Sequence, residues 1–162
     1  MSEAEPTFRK VSEVLAPADK VWELVTTQEG INHELRPYLK MTMPKAFRGK
    51  SISDVSPGAH IGKSLLLLFG VIPVGYDDIT ITQIEPGRMF REESAMTGMR
   101  TWVHRRTLEP ADGRTIVTDE VTLVPQLAIR GLTRLLGSVL AAFFDHRHRR
   151  LQRAGEELRP RI

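Results

Sequence analysis

The sequence predicts an α+β fold in which a curled antiparallel β-sheet wraps around one long C-terminal α-helix, with two short helices after the first strand. Three observations predict it. The chain starts with one alternating segment and two short segments that carry helix signals. Its middle consists of strand-like segments separated by turn residues. After Pro125 the apolar residues adopt helical spacing, so all helices would cover one face of one sheet.

Size and composition suit one soluble globular domain. The chain has 162 residues, 41% of them hydrophobic and 27% charged, with no repeat and no Ser/Gly-rich linker. We expect a single domain over residues 1–162, with its core at about residues 7–155. The absence of cysteine excludes disulfides, thiolate nucleophiles and cysteine-ligated metal sites.

Targeting signals are weak. The first residues are acidic and lack an apolar signal core, and the longest apolar run, residues 65–75, is about half the length of a membrane span. The sequence therefore predicts a cytoplasmic protein without a transmembrane segment.

The positive charge is local. The net charge is only +3, but residues 126–162 carry eight arginines against three acidic residues. Six of these arginines lie toward the end of the predicted long helix: Arg147, Arg149, Arg150, Arg153, Arg159 and Arg161. A solvated helix end that complements the helix dipole is the simplest interpretation. An anionic ligand, a membrane surface or a nucleic acid are alternatives, although the small net charge makes nucleic acid an unexpected partner.

The first elements follow from periodicity and punctuation. Pro17 suits the start of a helix, and Gly30 and Pro37 bracket a second one. The predicted elements are a strand over residues 7–15, a helix over 18–26, a helix over 31–36 and an extended segment over 38–43.

The remaining elements are five strands and the long helix. The strands are predicted at residues 63–69, 76–84, 88–94, 100–109 and 115–124, with breaks at 70–75, 85–87, 96–99 and 110–113. The apolar stripe of the helix comprises Leu132, Leu135, Leu136, Val139, Leu140, Phe143, Phe144 and Leu151. About 30 helical residues would span roughly 45 Å, enough to cross the sheet. A sheet curled around such a helix leaves a cavity between them.

Several stretches carry a family resemblance. They are LAPADKVWELVT, FGVIPVGYDDITITQIEPGR, TWVHRR followed by TDEVTLVP, and FFDHRHRRL. With the order of elements, they resemble the START-related SRPBCC superfamily, which has the helix-grip fold of polyketide cyclase/dehydrase-like and birch-pollen-allergen-like proteins, over about residues 7–155. Since that superfamily includes carriers, hormone receptors and cyclases, the resemblance implies the fold and a cavity without selecting an activity.

Strand parity places Asp119 on the apolar-rich inner face of its strand. A turn over residues 110–113 that pairs Leu108 with Val117 sets Arg106 opposite Asp119 and His104 opposite Val121. Arg106 and Asp119 would then pair directly.

A second hairpin brings in an acidic residue. A register that pairs Ser94 with Trp102 sets Glu92 opposite His104, whereas a slip by one residue would present Arg91 and Glu93 instead. We favour Glu92.

Glu92, His104, Arg106 and Asp119 have three interpretations. The simplest is that Arg106 and Asp119 satisfy one another, with His104 hydrogen-bonded beneath the helix. They could instead form a polar spot that orients a ligand. In a third interpretation His104 or Glu92 is a general base and Arg106 stabilises an enolate oxygen.

Apolar residues complete the expected site. The candidate cavity-lining residues are Trp22, Phe69, Tyr76, Phe90, Trp102, Val121, Leu136, Leu140 and Phe143, with Phe144, Met41, Met43 and Met89 as further candidates. Core packing is the alternative role for each. One of Asp77 and Asp78 would face inward, since neighbours in a strand face opposite ways.

No cofactor and no metal are expected. His146 and His148 diverge by about 200° on a helix and cannot share an ion without a distant third ligand. His33 and His60 are expected to be exposed. Gly131 and Gly137 lie inside the long helix, where each costs up to about 1 kcal/mol relative to alanine, so a bend, a close ligand or a tightly packed strand would explain them.

Three functions remain open at this stage. The favoured one is a carrier or sensor that binds a small hydrophobic molecule of lipid, polyketide or aromatic type. The second is a cyclase/dehydratase-like enzyme that uses His104 and Glu92. The third is a protein-interaction module that uses the arginine-rich helix end. The sequence leaves open whether the chain forms homo-oligomers.

Overall fold

A seven-stranded antiparallel sheet and three α-helices form the fold, as the sequence predicts. The computed structural model describes residues 6–127 and 130–159. The strands are β1 Phe8–Val14, β2 Leu39–Met41, β3 Ala59–Leu68, β4 Ile72–Glu85, β5 Met89–Met96, β6 Met99–Ala111 and β7 Arg114–Pro125. The helices are α1 Ala18–Thr26, α2 Gln28–Leu35 and α3 Arg130–Glu157, and two single turns of 3-10 helix cover Lys45–Phe47 and Ile52–Asp54.

The sheet follows a simple meander closed by its first strand. Its order is β1-β7-β6-β5-β4-β3-β2, with every neighbouring pair antiparallel. Long strands and the bulges in the β3–β4 and β4–β5 pairs let the sheet curl into a half-barrel around α3.

Both predicted registers are confirmed. Arg106 pairs with Asp119 and His104 with Val121 across β6 and β7. Glu92 pairs with His104 across β5 and β6, so the alternative slip to Glu93 is excluded.

Element bounds differ from the predictions by three residues or more at three places, the first of which is β3, which begins at Ala59 and not at residue 63. The helix α2 begins at Gln28, three residues earlier than predicted, because the side chain of Thr27 caps it by accepting a hydrogen bond from the backbone of Gly30. The β3–β4 turn is shorter than the predicted break at residues 70–75, since β4 already begins at Ile72.

The buried core is divided into two clusters. The larger one joins β1, α1, the two 3-10 turns and the inner faces of β3 to β7, and contains Val14, Val21, Trp22 and Ile81. The smaller one contains Trp102, Val121, Leu123 and Phe144. A cavity and a network of charged side chains lie between them.

The two halves of α3 are packed differently. Its C-terminal half is fixed to β1, where Lys10 pairs with Asp145 at 2.6 Å and a Cβ on Gly155 would come within 2.3 Å of Val14. In the N-terminal half Leu132, Leu135 and Val139 are exposed. The predicted apolar stripe is therefore exposed at these three residues: helical spacing marks their common face, but no element covers it among the described residues.

Candidate functional site

The cavity lies between the inner face of the sheet, α1, α2 and the middle of α3. Its volume is about 150 Å³, and its wall is mostly apolar. A cavity of that size in a protein core is large enough for one benzene molecule. The lining residues are Val25, Ile31, Leu35, Leu39, Met41, Ile52, Leu66, Asp77, Phe90, Glu92, Met96, Trp102, His104, Leu140, Phe143, Phe144 and Arg147.

The carboxylate of Asp119 is the centre of a buried polar network behind this cavity. Its Oδ1 accepts hydrogen bonds from Arg106 Nε at 2.7 Å and His104 Nε2 at 2.9 Å. Its Oδ2 accepts from Arg106 Nη2 at 2.6 Å and His148 Nε2 at 2.8 Å. Four donors saturate an ionised carboxylate.

Arg106 extends the network to the helices. Its guanidinium also donates to both oxygens of Glu34 on α2, at 2.7 and 3.0 Å. Arg147 on α3 donates to Glu34 as well, at 3.1 Å from Nη2. Because Glu34 and Arg106 are almost fully buried, each charge depends on these partners to offset its lost hydration.

The hydrogen bonds determine the roles of the two buried imidazoles. Because Asp119 only accepts, both His104 and His148 must carry a proton on Nε2. The Nδ1 of His148 lies 2.6 Å from Ser12 Oγ, which can donate to it. The Nδ1 of His104 instead lies 2.9 Å from Oε1 of Glu92, at the cavity wall.

Neighbouring charges outweigh burial for the network residues. Burial by itself would raise the pKa of Asp119, but Arg106 and His104 hold it well below its usual value. Burial would likewise raise the pKa of Glu34, but Arg106 and Arg147 lower it. For His104, burial would lower the pKa, but Asp119 and Glu92 raise it, so the imidazolium is favoured.

For Asp77, in contrast, burial outweighs the attractive charges in setting the pKa. It is only 5% exposed and lines the cavity, but its Oδ1 has no hydrogen-bond partner among the described residues. Burial, with the nearby charge of Glu92, raises the pKa of Asp77 to about 7. Its neighbour Asp78 faces the other side and contacts His60 at 2.6 Å, so one aspartate of the pair faces inward, as predicted.

Chemically, the cavity wall presents one proton-sharing pair and the carboxyl of Asp77, whose Oδ1 makes no hydrogen bond within the described residues. Glu92 and His104 can exchange a proton along their short contact, while Asp119 holds the imidazole in place from the far side. Phe90 and Phe144 contact the His104 ring edge-on, with centroids at 5.8 and 5.4 Å. The polar pair is therefore surrounded by aromatic surface.

Of the predicted site residues, six line the cavity: Phe90, Glu92, Trp102, His104, Leu140 and Phe143. Phe144 and Met41, the further candidates, also line it, whereas Met43 and Met89 are buried outside its wall.

The other predicted residues lie elsewhere. Trp22 packs in the larger cluster and donates to Ser53 Oγ, and Val121 packs in the smaller cluster with Leu136 against it. Phe69 is 61% exposed at the tip of the β3–β4 hairpin, and Tyr76 is partly exposed beneath the Lys63 ammonium. These five residues lie outside the cavity wall, since alternation identifies a face of a strand but not how far a cavity extends along it, and their contact with a ligand stays a prediction.

Arg106 and Asp119 are also absent from the cavity wall. They satisfy one another behind His104, as the simplest sequence interpretation has it. With its donors engaged by Asp119 and Glu34, Arg106 is not placed to stabilise an enolate in the cavity.

Sequence reasoning missed the contributions of the short helices. Val25, Ile31 and Leu35 line the cavity, and their apolar spacing was a usable signal. Glu34 gave none, because its partner Arg106 lies 72 positions away.

Two arginines of the basic helix end have structural partners. Arg147 binds Glu34, and Arg150 donates to the carbonyl of His33 at 2.9 Å, so both tie α3 to α2. Arg149, Arg153 and Arg159 are exposed, and Arg161 lies outside the described residues.

The histidines have separate surroundings. His146 contacts the carbonyl of Arg36 at 2.7 Å, whereas His148 faces the interior. His33 and His60 are exposed, as predicted. Among the described residues, no group of three or more acidic or histidine side chains is placed to hold a metal ion, and no helix is long and apolar enough to cross a bilayer.

Solved structures share this architecture over nearly the whole chain. The Zhui aromatase/cyclase from a Streptomyces species superposes with a TM-score of 0.69 at 14% identity, covering 92% of each chain. A START superfamily protein from Mycobacterium smegmatis gives 0.66 at 13% identity, covering 93% of this chain and 97% of the other. Protein CV1439 from Chromobacterium violaceum gives 0.68 at 16% identity, covering 95% and 97%.

These similarities establish the helix-grip fold of the SRPBCC superfamily that the sequence resembles. At these identities they establish the fold alone. No curated protein matches the chain in sequence. One family model does, over residues 12–154, and the chain therefore belongs to the family described as a domain of unknown function, DUF8410.

Proposed function

We propose that the protein binds a small hydrophobic ligand in the cavity between the sheet and α3, as a carrier or sensor. The observation that carries the proposal is the cavity itself, an apolar space at the junction of the two core clusters. Side chains normally fill a core to close-packed density, so a space of this size is unusual without an occupant. Its volume favours a ligand built on a single ring over a long-chain lipid.

The structural neighbours support the same proposal. One is a START superfamily protein and another an aromatase/cyclase. The expected cytoplasmic location remains a prediction.

The first test is a comparison of native and denaturing mass spectra of the purified full-length protein. We expect a small apolar molecule that is present in the native spectrum and released on denaturation. Thermal unfolding across a library of single-ring compounds is the second measurement, because a ligand that binds the folded state raises the melting temperature in a saturable manner. Absence of both a bound molecule and any saturable shift would contradict the proposal.

Two matched variants on α3 locate the binding. Leu140→Trp places a larger side chain at the cavity wall, whereas Val139→Trp changes the adjacent, exposed position. Both proteins are first shown to be folded by their own unfolding transitions. Leu140→Trp should abolish the ligand-dependent shift and Val139→Trp should retain it. Equal shifts in the two variants would place the ligand outside the cavity.

A cyclase/dehydratase-like activity is a second candidate, and the observation that favours it is the contact between His104 and Glu92 at the cavity wall. Because both imidazole nitrogens are engaged, Glu92 is the group that would meet a substrate, with His104 as its proton partner. Glu92→Gln should then abolish turnover of an identified substrate while ligand binding persists. Unchanged turnover in Glu92→Gln and in His104→Ala would exclude these roles.

A further inference from the structure

Within the described ranges, four buried polar atoms that make no hydrogen bond lie on the inner face of four adjacent strands. They are Ser64 Oγ on β3, Asp77 Oδ1 on β4, Ser94 Oγ on β5 and Trp102 Nε1 on β6. Ser64 is the registered partner of Asp77, and Ser94 of Trp102. Buried polar atoms nearly always have a hydrogen-bond partner. Asp77 Oδ1 and Ser94 Oγ can accept hydrogen bonds, so these two atoms indicate a ligand that donates, whereas Trp102 Nε1 is itself a donor.

The charges at the cavity wall indicate which chemical group a ligand would supply. Two of the other charged residues at the cavity wall have ionic partners, since Glu92 contacts His104 at 2.9 Å and Arg147 contacts Glu34 at 3.1 Å. Within the described part of the chain, Asp77 forms no ion pair, and the cation whose charge reaches it, His104, already contacts Glu92. When ionised, it leaves one negative charge uncompensated in an apolar space, which is costly.

We propose that the ligand is a small apolar amine whose ammonium group pairs with the carboxylate of Asp77 while its apolar part lies against Phe90, Trp102 and Phe143. This inference rests on the proposed function, because it names the ligand of the same cavity. The Ser94 hydroxyl lies close enough to Asp77 to influence it and can accept a second ammonium hydrogen.

Other ligand chemistries fit less well. A carboxylate would meet the like charges of Asp77 and Glu92. A neutral alcohol can donate one hydrogen bond to Asp77 but leaves its charge uncompensated. An alkyl group leaves all four polar atoms unpaired.

Three probes of equal heavy-atom count separate these chemistries: benzylamine, benzyl alcohol and ethylbenzene. Dissociation constants are measured by chemical-shift titration of the full-length protein at about pH 8. Since a charge-assisted hydrogen bond in a dry site is worth more than a neutral one, benzylamine should bind at least about tenfold more tightly than ethylbenzene and more tightly than benzyl alcohol.

Asp77→Asn keeps the side-chain shape and removes the charge. It should eliminate the advantage of benzylamine and leave ethylbenzene binding unchanged. Asp78→Asn is the matched control, since Asp78 faces the outer side and contacts His60, and it should retain the advantage.

Each outcome separates this inference from the proposed function. If ethylbenzene or benzyl alcohol binds wild-type protein as tightly as benzylamine, the cavity binds ligands but the amine assignment is wrong. If none of the three binds, the amine assignment is wrong, and the native mass spectra and the compound library decide the proposed function separately. The wild-type series is decisive even if Asp77→Asn does not fold.

Discussion

The Nε2 atom of His104 lies 2.9 Å from Oδ1 of Asp119, and this contact joins the wall of the cavity to the most buried charges of the protein. Through it, Asp119 fixes the ring orientation of His104, so that Nδ1 faces Glu92. The same carboxylate also binds Arg106 and His148. The network therefore stabilises the fold and also positions the polar groups at the cavity wall.

Asp119→Asn should lower the free energy of unfolding by about 3–5 kcal/mol, because it removes the charge that Arg106, His104 and His148 share and leaves buried donors without acceptors. Urea denaturation monitored by circular dichroism measures the change. The matched control is Glu120→Gln, whose side chain faces the other side and pairs with Arg9 at 3.5 Å. That change should cost less than about 1 kcal/mol. Similar small losses in both variants would contradict the role given to Asp119.

Asp77 should make the protein less stable as the pH rises. Its folded-state pKa of about 7 lies above the ordinary value of 3.8, so between these two pH values the folded protein keeps a proton that the unfolded chain has lost. Stability from this group is fully present below about pH 4 and is lost as the pH rises to about 7. Glu92, His104, Ser94 and Asp78 are the groups that affect this titration.

Asp77→Asn should remove that pH dependence and raise the free energy of unfolding at about pH 8 by roughly 2–4 kcal/mol. Urea midpoints at several pH values test this, with Asp78→Asn as the control. If the free energy of unfolding changed with pH in the same way in the wild type and in Asp77→Asn, ionisation of Asp77 would not destabilise the folded protein.

Glu92→Gln should lower the pKa of His104. Burial by itself lowers that pKa, and Asp119 and Glu92 together raise it above 6.5, so removal of one anion reduces the opposing effect. His104 therefore adds stability that is present below about pH 6.5 and is lost as the pH rises through its folded-state pKa, and Glu92→Gln should weaken this contribution. An NMR titration of the imidazole protons reports it, with the exposed His33 as a reference signal. An unchanged or higher pKa in the variant would exclude the His104–Glu92 contact in solution.

Two glycines should respond oppositely to alanine substitution. A Cβ on Gly30 would come within 1.7 Å of the backbone oxygen of Leu24, so Gly30→Ala should destabilise the protein by about 2 kcal/mol or more. A Cβ on Gly137 would meet nothing within 4 Å among the described residues, so no packed strand accounts for this glycine. Gly137→Ala should stabilise the protein by about 0.5–1 kcal/mol.

Urea denaturation of both alanine variants provides the measurement. A loss of stability in Gly137→Ala would indicate that the space beside this part of α3 is occupied in solution. A Gly30→Ala protein as stable as wild type would contradict the close approach of α1 and α2.

The strand registers were accessible from the sequence because alternation has a period of two and the turns limit the choice. Asp119 on the apolar face of its strand, with a short turn at residues 110–113, was enough to place Arg106 opposite it. The position of Glu92 opposite His104 followed from the next turn in the same way.

Other parts of the site had no local pattern. Glu34 appears as an ordinary polar residue of a short helix, and only the fold brings it to Arg106 and Arg147. Leu135 belongs to the apolar stripe of α3 but is exposed, since periodicity shows which residues share a face but not whether another element covers it.

The sequence by itself determined the order of elements, the helix-grip architecture and the residues that face inward on the central strands, because these depend on period, turn chemistry and chirality along neighbouring stretches of chain. Tertiary structure alone decided which inward residues meet open space and which meet each other. Asp77 faces the cavity with an Oδ1 that has no hydrogen-bond partner in the described part of the chain, whereas Arg106 is enclosed by Asp119 and Glu34. The reason is physical: the sheet's curvature and the seating of α1, α2 and α3 set these distances, and they arise from packing across the whole chain.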